Sequence, residues 1–365
     1  MRPELAYDYY ISILKISAMN KQKIIVGISL GDINGIGIEI ILKTFKDNRM
    51  LDFCTPVIYG SNRIISYHRK ILNYHDININ LINSIKEAKP KNINLLNISK
   101  EEISIKIGSN SEVSGEFAFK SLEKASASLQ KKEIDVLVTS PINKFSIQKI
   151  KPDFLGHTEF LEKNFVGNSL MIMVSDVMKI AFVTGHIPIS DIKNHITESK
   201  IIATTKTLSN SLIKDFQYRR PKIAILGLNP HAGENGMLGK EEKEIINPAI
   251  KKLKDDGILA FGPYPADSFF SQKNLSLFDG VLAMYHDQGL APFKALSFYR
   301  GVNYTAGLNV IRTSPVHGTA YEIAGKGIAN EKSFRESIFL ACDIFKKRSE
   351  YQELNLKPLK IKSKD

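Results

Sequence analysis

The chain has 365 residues, a formal net charge of +12, 43% hydrophobic residues and 24% charged residues. This length suffices for a large buried core, and the composition is typical of a soluble globular protein. No apolar run approaches the roughly 20 residues that a membrane helix needs, so we expect no membrane partner. The two cysteines, Cys54 and Cys342, lie far apart and form no disulfide framework, which favours a reducing, cytoplasmic location.

The positive charge is spread over many segments of the chain. Lysines alternate with isoleucines and asparagines, and no dense basic block carries interleaved aromatic residues. This pattern indicates a solvated basic surface rather than a nucleic-acid partner. The same charge would attract an anionic small molecule.

The two ends of the chain differ from its middle. Residues 1–22 lack the cleavage site of a signal peptide, and we expect a disordered extension there, with Met19 as an alternative start. Residues 23–350 form one catalytic unit in this interpretation. Residues 351–365 form a Lys-rich tail, which we expect to be frayed.

Between these ends, apolar runs with strand character alternate with helical patterns. Helices are predicted over 37–47, from about Ser114 to 134, and over 333–347. Strands are predicted over 23–32, 55–61, 92–98, 135–144, 169–176, 179–188, 222–230 and 279–287. Such alternation predicts an α/β sheet, in which ligands bind beyond the carboxyl ends of the strands.

Three histidines follow three of these strands. His186, His231 and His286 each come where an apolar run gives way to Gly, Pro or polar residues. If the strands are neighbours, three imidazoles meet at one edge of the sheet, which is a set suited to a catalytic metal. The alternative is that they are unrelated loop residues.

The remaining histidines and nearby acids carry weaker signals. Glu234, Asp267 and Asp287 lie close enough in sequence to orient the three imidazoles or to act as further ligands. His68 and His75 lie in a polar region with a helical pattern, and we interpret them as surface residues. We interpret His195 as structural or exposed, and His317 stays undecided.

Several segments favour anion binding. The loop 139–144 combines hydroxyls, an amide and the amine of Lys144, although a plain turn at Pro141 explains it equally well. His157 and Thr158 stand at a predicted helix start, where backbone amides favour anions. The Gly-rich turn 31–40 fits neither the dinucleotide fingerprint nor a Walker loop, and Asp32 at its strand end could contact ligand.

Three further side chains lie downstream. They are Lys294, Asn303 and Arg312, which are polar residues between apolar segments of the sequence. Arg312 is predicted to end an apolar strand, which would carry its guanidinium to the ligand edge, where it could bind carboxylate or phosphate bidentately. A surface salt bridge is the competing explanation.

Taken together, these motifs resemble the 4-hydroxythreonine-4-phosphate dehydrogenase family of vitamin B6 biosynthesis. The matching strings run in family order from about Gly27 to Gly327: GDINGIGIEI, TSPINK, GHTEFL, GLNPHAGENGMLGKEE, GPYPADSFF, AMYHDQGLAPFK, GVNYTAGLNVIRTS and HGTAYEIAGKG. One departure is Val316, which stands where the family commonly has Asp, just before His317.

The resemblance implies a fold and a chemistry. The fold would be isocitrate/isopropylmalate dehydrogenase-like, with two intertwined α/β domains and an inter-domain cleft, not a Rossmann domain. The implied partner is a second copy, in a homodimer with the active site at the subunit interface. The implied cofactors are NAD or NADP and a divalent metal, which is zinc, magnesium or cobalt.

The resemblance also implies residue roles. The metal ligands would be His186, His231 and His286. The substrate-binding residues would be His157, Thr158, Lys294, Asn303 and Arg312. Asp267, Asp287 and Lys144 are candidates for catalytic or supporting roles, and no residue is assigned to the nicotinamide cofactor.

The implied reaction oxidises 4-phosphooxy-L-threonine, after which the product loses CO2. One alternative is a paralogue that acts on another four-carbon phosphorylated hydroxy acid, a phosphothreonate or phosphoerythronate. Another is a phosphate acyltransferase-like protein. The three histidines at strand ends argue against it, because acyl transfer needs no metal site of this kind. A nucleic-acid binder is the third, motivated only by the charge.

Overall fold

The protein is described from a computed structural model, which places residues 23–356. The extension expected over residues 1–22 lies outside the described residues, as does the end of the chain from 357 onward. Within the part that is placed, no helix is long and apolar enough to cross a bilayer.

All twelve described strands belong to one sheet. In chain order they are β1 (Ile25–Ser29), β2 (Thr55–Gly60), β3 (Ile79–Ile82), β4 (Ile93–Asn97), β5 (Val136–Thr139), β6 (Gly167–Val174), β7 (Lys179–Phe182), β8 (Lys222–Leu226), β9 (Leu259–Tyr264), β10 (Gly280–Ala283), β11 (Val302–Leu308) and β12 (Arg312–Pro315).

The described α-helices connect these strands. They are α1 (Gly37–Lys46), α2 (Arg49–Phe53), α3 (Asn62–Ile71), α4 (Glu112–Gln130), α5 (Lys144–Gln148), α6 (His157–Asn164), α7 (Ile192–His195), α8 (Glu198–Phe216), α9 (Asn247–Asp255), α10 (Ala266–Phe269), α11 (Gln272–Leu275), α12 (His286–Ser297) and α13 (Lys332–Leu356).

The sheet order is β3-β4-β2-β1-β5-β12-β11-β6-β7-β10-β8-β9. The two flanks of the sheet are parallel. In the centre, β11 runs antiparallel to both β12 and β6, and β6 runs antiparallel to β7. The predicted α/β class is confirmed, and the antiparallel centre distinguishes this sheet from an all-parallel dinucleotide-binding fold.

The parallel strands next to the centre of the sheet are apolar and buried. Every residue of β2 and β5 is buried, and Val26, Ile28 and Val138 are fully inaccessible to solvent. Continuous burial of this kind is expected for parallel strands inside an α/β layer.

Local sequence explains where α4 begins. The Ser111 hydroxyl accepts a hydrogen bond from the Ser114 amide at 3.1 Å, and the Ser114 hydroxyl accepts one from the Ser111 amide at 3.3 Å. This reciprocal capping box starts the helix at Glu112, slightly before the predicted start. The Ser114 hydroxyl also donates to Asp32 at 3.2 Å, which ties the helix to the Gly-rich turn after β1.

The last helix continues past its predicted end. The prediction stopped at Lys347, whereas α13 runs to Leu356 and includes the first residues of the expected tail. The reason is Arg348, whose guanidinium is buried and donates to the Asp215 carboxylate at 2.6 Å and the Tyr304 hydroxyl at 2.7 Å.

The prediction that His68 lies on the surface was wrong. Its side chain is only 1% exposed, and its Nε2 lies 2.8 Å from the Ile33 carbonyl oxygen. His68 therefore packs the inner face of α3 against the Gly-rich turn. His75 and His195 are exposed, as expected.

Candidate active site

A cavity of about 280 Å³ lies where the central strands end. It is lined by residues that follow β5 and β7, by the first turns of α6 and α12, and by side chains of β6, β11 and β12. The predicted residues among them are Lys144, His157, Thr158, His186, His286, Asn303, Arg312 and His317. The chain thus brings together side chains separated by nearly half its length.

The main chain sets the spacing of two of the candidate ligands. The segments after β7 and β10 run side by side, because the Val183 amide donates to the Ala283 carbonyl at 2.9 Å. Thr184 donates both its amide and its hydroxyl to the Met284 carbonyl, at 3.1 and 2.8 Å. These bonds hold the two loop starts at a fixed separation.

His186 and His286 face each other beyond these bonds. Their ring centroids are 5.2 Å apart, and both line the cavity. Nδ1 of His286 lies 2.6 Å from the Asp287 carboxylate. This contact leaves Nε2 of His286 for a ligand, which is the supporting role expected of Asp287.

His231 lies elsewhere in the single chain. Its strand, β8, pairs with β10, so the three strands are neighbours as the sequence predicted. However, residues 231–235 all have positive φ, and His231 is exposed and does not line the cavity. Glu242 anchors this left-handed turn by accepting from the Leu228 and Asn229 amides, each at 2.7 Å.

One chain therefore assembles two of the three candidate ligands. Within residues 23–356, no three or more His, Cys, Asp or Glu side chains are arranged to hold a metal ion. Glu234 is exposed on the left-handed turn, and Asp267 is exposed on α10 outside the cavity. The facing imidazoles of His186 and His286 are two nitrogen donors of the kind that a divalent metal accepts.

Arg312 places a positive charge deep in the cavity wall. It begins β12 rather than ending a strand, because the chain turns over 309–311 between antiparallel β11 and β12. Its side chain is 2% exposed. Nε and Nη2 donate to the Thr139 hydroxyl at 3.0 and 2.6 Å, and Nη1 donates to the Thr305 hydroxyl at 3.1 Å.

No carboxylate of the described residues forms an ion pair with Arg312. Burial lowers the pKa of Arg312 to about 9, with the charge of Glu159 acting in the opposite direction. A buried guanidinium without a counter-ion is costly, since burial favours charges that are paired. The guanidinium of Arg312 is therefore suited to bind an anion. The two threonine hydroxyls occupy three of its five N–H donors, and the other two are left for that anion.

The start of α6 closes one side of the cavity. Gly156, His157, Thr158 and Glu159 all line it, so the first-turn amides and the positive end of the helix lie near the ligand space. The exposed Lys144, at the start of α5, adds a second cation.

Polar atoms without partners concentrate in this cavity. Among its lining residues, four buried atoms lack a hydrogen bond: Ser140 Oγ, His157 Nε2, Asn303 Oδ1 and His317 Nε2. Buried polar atoms are normally satisfied, so unpaired ones that line one cavity indicate a ligand. Burial, then the charges of Arg312 and Lys144, lower the pKa of His157 well below its usual value, and this imidazole is neutral near pH 7.

Two other predicted residues stand apart from the cavity lining. Lys294 is half-buried on α12 and does not line the cavity, although its charge helps burial to lower the pKa of His317. Asp32 is buried and accepts from the Tyr321 hydroxyl at 2.7 Å and the Asn34 amide at 2.9 Å. Asp32 therefore stabilises the Gly-rich turn and does not line the cavity.

Sequence reasoning missed several lining residues. Glu159 and Ser314 line the cavity, and Met171 and Met173 of β6 supply apolar surface. Glu159 had a signal, since it lies two residues after His157 in the same first helical turn. The β6 methionines had none, because a methionine in an apolar strand normally indicates core.

Comparison with known proteins supports a single family. Residues 52–341 match the model of the family described as pyridoxal phosphate biosynthetic protein PdxA. A 4-hydroxythreonine-4-phosphate dehydrogenase from Bacteroides thetaiotaomicron is 47% identical over 345 residues, which cover 94% of each chain. A chain from Oceanobacillus iheyensis, named provisionally as a D-threonate 4-phosphate dehydrogenase, is 38% identical over 88% of this chain and 98% of its own.

A solved structure agrees with these relatives. The crystal structure of 4-hydroxythreonine-4-phosphate dehydrogenase from Klebsiella pneumoniae superposes with a TM-score of 0.75 at 33% identity, covering 89% of this chain and 98% of that chain. The family model alone spans well over half of the sequence. This chain belongs to the pyridoxal phosphate biosynthetic protein PdxA family.

Proposed function

We propose that this PdxA-family dehydrogenase oxidises the C3 hydroxyl of 4-phosphooxy-L-threonine, with NAD or NADP as hydride acceptor. The product, 2-amino-3-oxo-4-phosphooxybutanoate, is a β-keto acid that loses CO2 to give 3-amino-2-oxopropyl phosphate, which serves pyridoxine 5'-phosphate biosynthesis. The single observation that carries the proposal is the buried, uncompensated guanidinium of Arg312 at the cavity of a chain in this family.

Charge matching supports an anionic, phosphorylated substrate. Arg312 and Lys144 line the same cavity, and the first turn of α6 adds backbone amides. A guanidinium and a helix N-terminus are both suited to phosphate or carboxylate oxygens. Lys294, on the adjacent helix, would strengthen the positive field without touching the ligand in this arrangement.

The neutral polar atoms would orient the substrate. The Nε2 atoms of His157 and His317 and the Oδ1 of Asn303 are buried and unpaired, so each can bond a hydroxyl or amine of a bound molecule. Several such bonds fix the reacting carbon toward the nicotinamide and keep water out, which lowers the entropic cost of hydride transfer.

Two facing imidazoles support metal dependence. His186 and His286 would hold a divalent ion such as zinc, magnesium or cobalt, with Asp287 orienting His286. The substrate hydroxyl would be acidified by such an ion and would give up its proton more easily near neutral pH.

A second copy of the chain would supply the remaining ligand, His231, in a homodimer. Apolar side chains near the histidine loops are open to solvent in the single chain: Ile189 is 81% exposed and Met237 is 80% exposed. Burial of such residues in a subunit contact would be favourable. The exposed left-handed turn that carries His231 lies on the same loops and would reach the partner's cavity.

The reaction can be tested directly on the metal-loaded protein. With 4-phosphooxy-L-threonine and either NAD or NADP, we expect the absorbance of reduced nicotinamide to rise, and 3-amino-2-oxopropyl phosphate to accumulate. L-Threonine is the matched control, and it should react far more slowly because Arg312 and Lys144 lose an anionic partner. Absence of reduction with both cofactors would reject the substrate.

A second candidate substrate deserves a parallel assay because one relative carries a different substrate name. That candidate is a four-carbon phosphorylated acid with a hydroxyl in place of the amine, such as a phosphothreonate or phosphoerythronate. The ratio of kcat/KM values for the two substrates decides between the assignments.

A further inference from the structure

The side chain of Gln288 joins the segments that follow two neighbouring strands. The Met284 amide, after β10, donates to Gln288 Oε1 at 2.7 Å, and Gln288 Nε2 donates to the Gly227 carbonyl, after β8, at 2.6 Å. Gln288 is half-buried in the first turn of α12, two residues after His286. Its carboxamide therefore connects the segment that carries His286 with the segment that leads to His231.

Gln288 takes over where the pairing of the two strands stops. Parallel β8 and β10 pair as far as Ile225 and Leu282. The same register, continued by two residues, would place Gly227 beside Met284, and there both main-chain groups bond to Gln288 instead. A carboxamide has an acceptor and an N–H donor, as a peptide group has, so it substitutes for one in the ladder. Gly227 and Met284 are buried, and leaving their polar groups unpaired would be costly.

Two glycines allow the close approach that this bridge requires. Gly289, the next residue of α12, is buried, and a Cβ there would stand 2.6 Å from Ile180 Cδ1 of β7. A Cβ at Gly227 would stand 3.0 Å from the Cα of Ala232, which lies in the left-handed turn. The first turn of α12 therefore packs directly on the sheet, and the turn that carries His231 folds back over Gly227. A displacement at either point would move an imidazole.

We propose that Gln288 is a positioning residue, which fixes His286 relative to the segment that presents His231. The inference rests on the proposed function, which assigns both imidazoles to a divalent metal. Asp287 contacts the His286 ring, whereas Gln288 acts on the main chain of both segments. Because the proposed dimer places His231 in the partner's cavity, each Gln288 would support ligands of both sites.

The alternative is a purely structural role as a helix cap. Gln288 is the third residue of α12, and a Gln at this position commonly accepts from an amide just before the helix. The bond from the Met284 amide fits such a cap. The bond to the Gly227 carbonyl does not, because it leaves the helix and requires an N–H donor. The two roles therefore depend on different atoms of one side chain.

The variant Gln288→Glu separates these roles. Glu has the same shape, still accepts from the Met284 amide, and carries a charge that favours a helix N-terminus. It offers no N–H to the Gly227 carbonyl and sets two oxygens against each other. We expect the affinity of the metal-free protein for zinc, measured by competition with a chelator, to fall by about 10- to 100-fold, the usual effect of removing a group that holds a metal ligand in place. A cap alone predicts wild-type affinity.

Amide hydrogen exchange gives a readout that needs neither metal nor substrate. In Gln288→Glu, residues 227–236 should exchange faster while the Met284 amide stays protected. In Gln288→Met, which removes both bonds, both regions should exchange faster and zinc affinity should fall similarly. Gln272→Glu is the matched control, because it makes the same change of charge at an exposed residue in the first turn of α11. It should alter neither exchange nor zinc affinity.

The outcomes separate the inference from the proposed function. The inference requires both weaker zinc binding and faster exchange over 227–236 in Gln288→Glu, and either change without the other overturns it while the proposed function stands. Thermal unfolding verifies that each variant is folded, and if Gln288→Glu is not, Gln288→Met decides by the same two measurements. A wild-type protein that binds no divalent metal refutes the proposed metal dependence, and the inference fails with it.

Discussion

Single residues decide the character of this cavity. Arg312 is held by the hydroxyls of Thr139 and Thr305, and a carboxylate in either place would have neutralised it before a ligand arrived. The sequence predicted the importance of Arg312 from its position after an apolar run. It could not predict the hydroxyl partners, because Thr139 and Thr305 are ordinary strand residues until the sheet order is known.

For His68, another single residue, the prediction from sequence was wrong. Its polar helical surroundings predicted a surface residue, yet tertiary packing buries it against the Gly-rich turn. Burial lowers the pKa of His68 to about 4, while the hydrogen bond to Ile33 acts in the opposite direction. The His68 imidazole is therefore neutral in the folded protein near pH 7.

This burial predicts a pH-dependent loss of stability. Because the pKa of His68 is about 4 when folded and about 6.5 when unfolded, the unfolded chain binds the proton more tightly between these values. Lowering the pH from 7.5 to 5 should cost about 2 kcal/mol at this residue. His68→Gln keeps an N–H donor for Ile33 and should remove that part of the pH dependence, measured by urea unfolding at both pH values. An unchanged pH dependence would contradict the assignment.

At the scale of helices and strands, the pattern of apolar residues predicted most strands. It did not predict features that depend on contacts between distant parts of the chain. The buried strands β1, β2 and β5 are recognisable as continuous apolar runs. The left-handed turn at His231 is not, because it depends on Glu242 accepting two distant backbone amides. The direction of β12 likewise depends on pairing with β5 and β11, which no local pattern encodes.

Helix α13 offers a test at this scale. Arg348 ties it to α8 through Asp215, which is 1% exposed, and to β11 through Tyr304. Arg348→Met should lower the free energy of unfolding by about 3–5 kcal/mol, because the Asp215 carboxylate is left buried and unpaired. The measurement is equilibrium denaturation.

The double variant distinguishes charge from packing in α13. Adding Asp215→Asn to Arg348→Met removes the unpaired charge, so part of the lost stability should return. A double variant no more stable than Arg348→Met would show that packing of the long side chain, not the charge, is what matters.

At the scale of the whole molecule, one sheet spans the described chain, and the cavity lies near its antiparallel centre. Most of the substrate-binding residues predicted from the sequence line this cavity. The three predicted metal ligands do not all line it, because His231 lies outside the cavity of its own chain. A single sequence cannot indicate contacts between copies, and for this reason the dimer entered only through the family resemblance.

Mixing inactive variants tests whether copies share a site. If His186 and His286 come from one chain and His231 from its partner, dimers of His231→Ala and His286→Ala chains contain one intact site. Random mixing should then restore about a quarter of wild-type activity, because half the dimers are mixed and one of their two sites works. The measurement is NAD reduction after the two variants are unfolded and refolded together.

A matched mixture controls for this result. His186→Ala with His286→Ala places both defects in ligands of the same chain, so each site of the mixed dimer lacks one of them and activity should stay absent. Recovery in this control, or none in the first mixture, would refute the proposed sharing of His231. Sedimentation analysis of both mixtures establishes the dimer itself.

The hydrogen bonds between the ends of β7 and β10 affect which substitutions the site can tolerate. The segments that precede His186 and His286 are joined by the Val183 and Thr184 amides, which donate to the Ala283 and Met284 carbonyls, and by the Thr184 hydroxyl. The two amide bonds do not depend on which side chains the strands carry. Core residues on either side can therefore be exchanged for others of similar volume, and the connecting helices can lengthen or shorten, while the two imidazoles keep their distance. The placement of the two loop starts therefore depends more on the backbone than on particular core side chains.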